Sequence, residues 1–141
     1  MQIELIFFSY RDFTAGPDQV LEKLSFGRAH HRVIYFVGKK DKITIKELLG
    51  VLKITKQSLS RVLNQLVKEG FIVVSSGLDK RTINLSLSSS GINLENELST
   101  IQIQKIKKVI NNFNQEDIDG FKKILYEMIE IDNKKTFQHL N

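Results

Sequence analysis

Residues 55–70, TKQSLSRVLNQLVKEG, carry the pattern that decides the fold of this chain. Their apolar side chains recur at i, i+3, i+4, i+7 and i+8, a spacing that forms one stripe along a helix. The stripe consists of Leu59, Val62, Leu63, Leu66 and Val67. Thr55 is a suitable N-cap, and Gly70 stands where a left-handed residue ends a helix. The pattern therefore predicts an amphipathic helix.

The opposite face of this helix is polar and basic. Its residues follow one another at intervals of four, three and four positions, and they are Gln57, Arg61, Asn64 and Lys68. This spacing places them on the side that the apolar stripe leaves exposed. Amide and guanidinium groups suit base edges and phosphates. The segment is a candidate DNA recognition helix.

Length and composition restrict the class of protein. The chain has 141 residues, 41% of them hydrophobic, which suffices for one domain, or for one lobe and an oligomerisation lobe. Cysteine is absent, which excludes disulfides, thiolate nucleophiles and sulfur-ligated metals. The N-terminus does not resemble a signal peptide, and no apolar run approaches the roughly 20 residues that span a bilayer. We expect a soluble, cytoplasmic protein.

Positive charge is concentrated in the middle of the chain. The net charge is +5, and residues 39–84 hold ten Lys or Arg against four Asp or Glu. A basic block in an otherwise near-neutral chain is expected where phosphates are contacted. A solvated lysine-rich surface is the alternative interpretation.

The segments before the candidate helix complete a helix-turn-helix. Gly16-Pro17-Asp18 predicts a break between helices, and Ser25 is a possible N-cap for a helix that ends near Val37. After a basic loop and a possible short strand at 43–45, Thr44 and Glu47 have the spacing of a capping box. That box starts a helix to about Leu52, and a tight turn follows.

The segments after the candidate helix predict a β-hairpin. Residues 71–75 form one strand, 76–80 a turn, and 81–87 a second strand with alternating polarity. Ile83, Leu85 and Leu87 are expected to cover the helices, while Thr82, Asn84 and Ser86 face outward. A hairpin in this position, with Asp79, Lys80 and Arg81 at its tip, is a wing.

Both ends of the chain are apolar. Residues 2–13 are too apolar for a free amphipathic helix, so a partner subunit or the C-terminal region must cover them. A long helix over about 92–113 has more than one apolar stripe and is expected to be buried against different neighbours. Asn114 caps a last helix. The polar tail from Asn133 onward is expected to fray.

The chain resembles the MarR family of winged helix-turn-helix transcriptional regulators over nearly its full length. The order of elements is similar. The exit of the recognition helix resembles the family's L-x-x-x-G-[FLY]-[IV] pattern at Leu66, Gly70, Phe71 and Ile72. The wing resembles its D-x-R pattern, followed by a serine and a glycine, at Asp79, Arg81, Ser88 and Gly91.

This resemblance implies a mainly α fold with a small antiparallel β-wing and terminal dimerisation helices. Residues 1–38 would form N-terminal dimerisation and scaffold helices, 39–88 the DNA-binding lobe, and 89–141 the C-terminal dimerisation helices. A homodimer would bind a pseudo-palindromic double-stranded operator through recognition helices about 34 Å apart. Repression is the expected mode, and no cofactor is expected.

The resemblance also implies roles for single residues. Thr55, Lys56, Gln57, Ser58 and Arg61 match the first half of the family's recognition helix. We assign Gln57 and Arg61 to base edges, because their side chains can form two hydrogen bonds each. Thr55, Lys56 and Ser60 are assigned to phosphates, Arg81 to the minor groove, and Asp79 to ordering of the wing. Asn64 and Lys80 complete the predicted DNA-binding set.

The sequence gives little support for a metal site or for an enzyme. Adjacent His30 and His31 diverge by about 100° on a helix, so they cannot share a metal ion. The acids are scattered, the serines at 88–90 lack a histidine partner, and no glycine loop suits phosphate, so an enzyme is not expected. An effector pocket could draw on Phe8, Arg11, Tyr35 and Phe36, or these could be plain core. A winged helix that binds another protein remains the alternative function.

Overall fold

The computed structural model describes residues 1–79 and 81–140, and it forms two compact units that divide between Gln102 and Ile103. In the described part of the chain the elements are α1 (Gln2–Glu22), α2 (Arg28–Lys39), β1 (Ile43–Thr44), α3 (Ile45–Leu52), α4 (Lys56–Lys68), β2 (Ile72–Ser76), β3 (Ile83–Leu87), α5 (Ser89–Ile110), α6 (Gln115–Glu127) and α7 (Ile131–Leu140). The predicted fold class, mainly α with a small antiparallel sheet, is confirmed. The division at 38 and 88 stays a prediction.

The core of the first unit lies between its helices and its sheet. Its fully buried side chains come from every layer, and they include Leu21, Ile34, Leu48, Leu59, Leu66, Leu85 and Leu98. The recognition-helix stripe supplies four buried residues to this core, Leu59, Val62, Leu63 and Leu66. The fifth member, Val67, is 39% exposed and borders the wing residues Val74 and Ile83, so the stripe is buried at four of its five positions.

The predicted break at Gly16-Pro17-Asp18 is wrong, because α1 continues through it to Glu22. Proline has no N–H, so the carbonyl of Phe13 loses its helical partner at Pro17. The side-chain Nε2 of Gln102 donates to that carbonyl at 3.5 Å instead. The buried Pro17 ring also packs inside the unit. A distant residue therefore stabilises a helix that local sequence would end.

The start of α2 also differs from the expectation. Ser25 has a left-handed backbone with φ of 58°, and Gly27 is the N-cap. The N–H of Gly27 donates to Nδ1 of His30 at 3.0 Å. The His30 side chain thus accepts the hydrogen bond of a backbone N–H at the start of this helix. Ser25 was expected to serve as the cap.

The three strands form an antiparallel sheet in the order β1-β3-β2. The polar residues of β3 alternate with its apolar ones: Asn84 and Ser86 are half-buried, and the Ser86 hydroxyl donates to Asp41 at 2.7 Å. The expectation that Ile83 covers the helices is wrong, since this residue is 45% exposed. It pairs with Ser76, toward the free end of the hairpin.

The second unit contains α6 and α7. Asn114 caps α6 as predicted, because its side chain accepts from the N–H of Asp117 at 2.8 Å. The predicted fraying from Asn133 is wrong, since α7 extends to Leu140. Lys134 pairs with Glu127 at 2.9 Å, and Gln138 donates to the Tyr126 hydroxyl at 3.1 Å. These contacts between α6 and α7 hold the tail in a helix.

Large apolar surfaces are exposed in each unit. In α1 they are Ile3, Leu5, Ile6, Phe7, Phe8 and Tyr10. In the second unit they include Ile103, Ile106, Val109, Phe121, Ile124, Leu125 and Met128. In the single chain α5 buries Leu94 and Leu98 and leaves Ile103, Ile106 and Val109 exposed, so burial of these residues against a partner stays a prediction. In the described residues, no helix is long and apolar enough to cross a membrane.

Candidate nucleic-acid interface

Short-range hydrogen bonds set both ends of α4. The Thr55 hydroxyl accepts from the N–H of Ser58 at 3.1 Å and donates to the Ser58 hydroxyl oxygen at 2.9 Å. At the other end, Gly70 has φ of 79°, and the N–H of Phe71 donates to the carbonyl of Leu66 at 2.9 Å. The predicted N-cap and left-handed end of this helix are confirmed.

The turn between α3 and α4 sets the angle of the helix pair. Lys53 occupies this turn with φ of 53°. The capping box at the start of α3 is present: Thr44 accepts from the N–H of Glu47, and Glu47 accepts from the N–H of Thr44 at 2.8 Å. Lys40 also pairs with Glu47 at 2.6 Å. Charge and capping thus anchor α3 before the turn.

Glu47 has a strongly perturbed acidity. The hydrogen bond from Lys40 and then the bond from the Thr44 backbone lower the pKa of Glu47 from 4.5 to about 2. Both donors stabilise the ionised carboxylate, which explains the direction. The carboxylate therefore stays charged at neutral pH.

A histidine from α2 contacts the side of α4. His30 Nδ1 accepts from Gly27, so Nε2 carries the proton and donates to Gln65 Oε1 at 2.7 Å. The ring stacks on Phe26 with centroids 4.7 Å apart, and Phe26 in turn contacts Phe71 edge to face. Sequence reasoning missed this link. A polar Gln65 beside the buried stripe was the only local signal.

The predicted DNA-facing side chains of α4 lie on one accessible surface. Lys56, Gln57, Ser60, Arg61 and Asn64 are exposed. Ser58 is half-buried, and Thr55, although exposed, uses its hydroxyl for the cap. The helix therefore presents the polar side chains of Gln57, Arg61 and Asn64, with Lys56 beside them.

Strands β2 and β3 form the wing hairpin beside α4. The carboxylate of Asp79 accepts from the N–H of Arg81 at 3.1 Å, and the carbonyl of Asp79 accepts from the N–H of Thr82 at 2.8 Å. The N–H of Gly77 donates to the carbonyl of Thr82 at 2.8 Å. Arg81 is exposed. Lys80, a predicted contact, lies outside the described residues.

The base of the wing is tied to the end of α4. The Ser88 hydroxyl donates to the carbonyl of Gly70 at 2.6 Å and accepts from the N–H of Gly91 at 3.1 Å. A Cβ on Gly91 would overlap the carbonyl oxygen of Phe71. Ser88 and Gly91 thus join β3 and α5 to the C-terminal end of α4.

The other candidate residues are the histidines and the predicted effector-pocket residues. Among residues 1–79 and 81–140, no group of three His, Asp or Glu could hold a metal ion. Burial lowers the pKa of His31, while nearby Asp18 and Glu95 act in the opposite direction. Phe36 packs against the core. Arg11 stacks over Phe8 at 4.6 Å, and the use of these residues as an effector pocket stays a prediction.

Comparisons with known proteins agree with this architecture. Residues 24–82 match the model of the MarR family. The HTH-type transcriptional regulator PetP of Rhodobacter capsulatus is 38% identical over 139 residues, which cover 98% of this chain and 84% of that protein. The HTH-type transcriptional repressor YetL of Bacillus subtilis is 26% identical over 132 residues, which cover 89% of this chain and 79% of that protein.

Solved structures share the fold. FabT of Streptococcus pneumoniae, in a crystal structure in complex with DNA, superposes with a TM-score of 0.79. The match covers 89% of this chain and 90% of that one, at 19% identity.

Proposed function

Since this chain belongs to the MarR family, we propose that it is a transcriptional regulator that binds double-stranded DNA in a sequence-specific manner as a homodimer. The observation that carries the proposal is the surface shared by α4 and the wing. Gln57, Arg61 and Asn64 project from one exposed face of α4, and Arg81 lies on a wing that Asp79 orders. This combination suits a major groove and the adjacent minor groove.

Each side chain has a proposed contact. Gln57 and Arg61 read base edges, with Asn64 beside them. Lys56 and Ser60 contact phosphates, and Lys80 and Arg81 contact the DNA from the wing. The Thr55 hydroxyl already donates a hydrogen bond to the Ser58 hydroxyl oxygen. The Ser58 hydroxyl is therefore the group that can donate to a phosphate at this end of the helix. Thr55 acts mainly by capping the helix.

Exposed apolar residues support the homodimer. The first half of α1 carries Phe7 at 60% exposure and Ile6 at 55%. A surface this apolar is unfavourable in water, and a second copy of the same surface would cover it. Pairing two copies also gives the two half-site readers that a pseudo-palindromic operator requires. The relatives named above suggest no enzymatic activity, and we propose none.

The experiment that tests this function is selection of DNA fragments from a random duplex library, followed by titration across a salt series. We expect an enriched pseudo-palindromic sequence and an affinity that falls steeply with log salt, because several counterions are released. A winged helix that binds only protein partners predicts neither result. Absence of binding to any duplex at low salt would refute the DNA-binding function.

A further inference from the structure

A crevice of about 390 Å³ lies between α4 and the wing strands β2 and β3, with Ile45 at the start of α3 also in its lining. Along α4 it is bordered by Ser60, Asn64 and Lys68. These residues are four positions apart and so form a straight line on the helix. All three are exposed. They offer a hydroxyl, an amide and an ammonium group to anything that enters the crevice.

The walls of the same crevice are apolar and open to solvent. They include Val67, Val74 and Ile83, which are 39%, 48% and 45% exposed. Val74 and Ile83 lie on the same sheet face as the buried Leu85, toward the end of the hairpin. The core covers that face only near its base. An apolar wall is therefore left beside a line of polar donors.

A sugar–phosphate chain matches this combination. Its deoxyribose rings offer apolar surface, while its phosphates carry negative charge and accept hydrogen bonds. The crevice also belongs to the basic block at residues 39–84, which holds ten Lys or Arg against four Asp or Glu. The local field therefore attracts an anionic chain.

The geometry of duplex DNA supplies the remaining step. One sugar–phosphate strand separates a major groove from the adjacent minor groove. If α4 enters the major groove and Arg81 approaches the minor groove, the protein must straddle that strand. The crevice lies between α4 and the wing, so it is the part of the protein that faces the strand.

We propose that this crevice holds one sugar–phosphate strand of the bound duplex. Lys68 pairs with a phosphate there, and Ser60 and Asn64 donate to phosphate oxygens along the same strand. Val74 and Ile83 pack against deoxyribose. The inference rests on the proposed function and extends it, because Lys68, Val74 and Ile83 have no role in the contacts proposed above.

Neighbouring valines of β2 provide a matched test. Val74 lies on the crevice face and Val73 on the opposite face of the same strand, with nearly equal exposures of 48% and 51%. Val74→Glu and Val73→Glu add the same charge to the same strand. We expect Val74→Glu to weaken binding about tenfold more than Val73→Glu at low salt, because only that carboxylate meets the strand. Thermal unfolding of both variants checks that the wing is intact.

A second test uses a charge on α4. Lys68→Gln is compared with Lys23→Gln, which removes the same charge from an exposed residue outside the basic block. Lys68→Gln should reduce the slope of log affinity against log salt by about 0.9, equally for selected and random duplexes. Lys23→Gln should leave the slope unchanged. This test does not depend on the stability of the wing.

Neutral phosphates locate the contact. A series of selected duplexes carries one methylphosphonate each, and the position that weakens wild-type binding but not Lys68→Gln binding marks the phosphate at Lys68. We expect it between the bases read by Gln57 and the minor groove at Arg81. Equal behaviour of the paired variants, with intact wild-type binding, overturns this inference alone. Absence of wild-type binding overturns the proposed function and the inference together.

Discussion

His30 Nε2 donates to Gln65 Oε1 at 2.7 Å, and this bond joins the start of α2 to the side of the recognition helix α4. The histidine is oriented by its Nδ1, which accepts from the N–H of Gly27, and by the ring of Phe26. Its position is therefore decided by α2 and the preceding loop. The bond to Gln65 therefore helps to fix α4, the helix that carries Gln57 and Arg61, relative to α2.

We expect His30 and Gln65 to be energetically coupled. In a double-mutant cycle with His30→Ala and Gln65→Ala, urea unfolding should give a coupling free energy of about 1 kcal/mol. His30→Ala alone should destabilise more than Gln65→Ala, because it also removes the cap of Gly27 and the stack on Phe26. Additive effects of the two substitutions would contradict the coupling.

Arg81→Ala should weaken binding to many DNA sequences to a similar degree. The guanidinium is expected at the minor groove, where it senses charge and groove width more than base identity. The slope of log affinity against log salt should fall by about 0.9. Fluorescence anisotropy on a selected and a random duplex measures both effects. A loss confined to the selected duplex would assign Arg81 to base reading.

Gln57→Ala should change the preference among sequences. An amide that forms two hydrogen bonds with a base edge contributes roughly 1–3 kcal/mol of discrimination against the wrong base. Removing it should relax selection at one base pair in each half-site and leave the salt slope nearly unchanged. Selection from a random library with both proteins shows the difference. Identical enriched sequences would mean that Gln57 does not read a base.

Glu47 should make stability depend on acidic pH. Its pKa is about 2 in the folded chain and near 4.5 when unfolded, so its contribution is present above about pH 4.5 and is lost as the pH falls toward 2. The carboxylate is 43% exposed, and solvent screening reduces the contribution to about 1 kcal/mol. Glu47→Gln keeps the capping box but not the charge.

Urea unfolding of the wild type and Glu47→Gln across this pH range tests the contribution. The difference in unfolding free energy should be largest near neutral pH and should shrink below pH 4.5. A difference independent of pH would show that the charge of Glu47 contributes nothing, and that the variant acts through packing or capping.

Phe7→Glu should dissociate the homodimer. A carboxylate in the centre of an apolar interface must be desolvated without a partner, which should weaken association about 100-fold or more. Leu78→Glu is the control, since this residue is fully exposed on the wing, away from α1. Sedimentation equilibrium should find the control dimeric and Phe7→Glu monomeric. A dimeric Phe7→Glu protein would place the interface elsewhere.

Features that depend on neighbours in sequence were predictable. The cap of Thr55, the left-handed Gly70 and the capping box of Thr44 and Glu47 each involve bonds over three to five residues, so local spacing specifies them. Four of the five residues in the apolar stripe of α4 are buried. The order of helices and strands follows from such local patterns. The site residues remain predictions, because contacts with DNA are not present in the chain itself.

Tertiary structure decided the features that depend on distant residues. Helix α1 continues through Pro17 because the Gln102 side chain donates to the carbonyl of Phe13, a hydrogen bond that the proline cannot donate. Ile83 follows a perfect alternation yet is exposed, because periodicity shows which face a residue is on but not how far the core extends beneath it. The link from His30 to Gln65 spans 35 positions. Local geometry thus determined the helices and strands, while long-range packing determined their lengths, their exposed surfaces and the crevice beside the recognition helix.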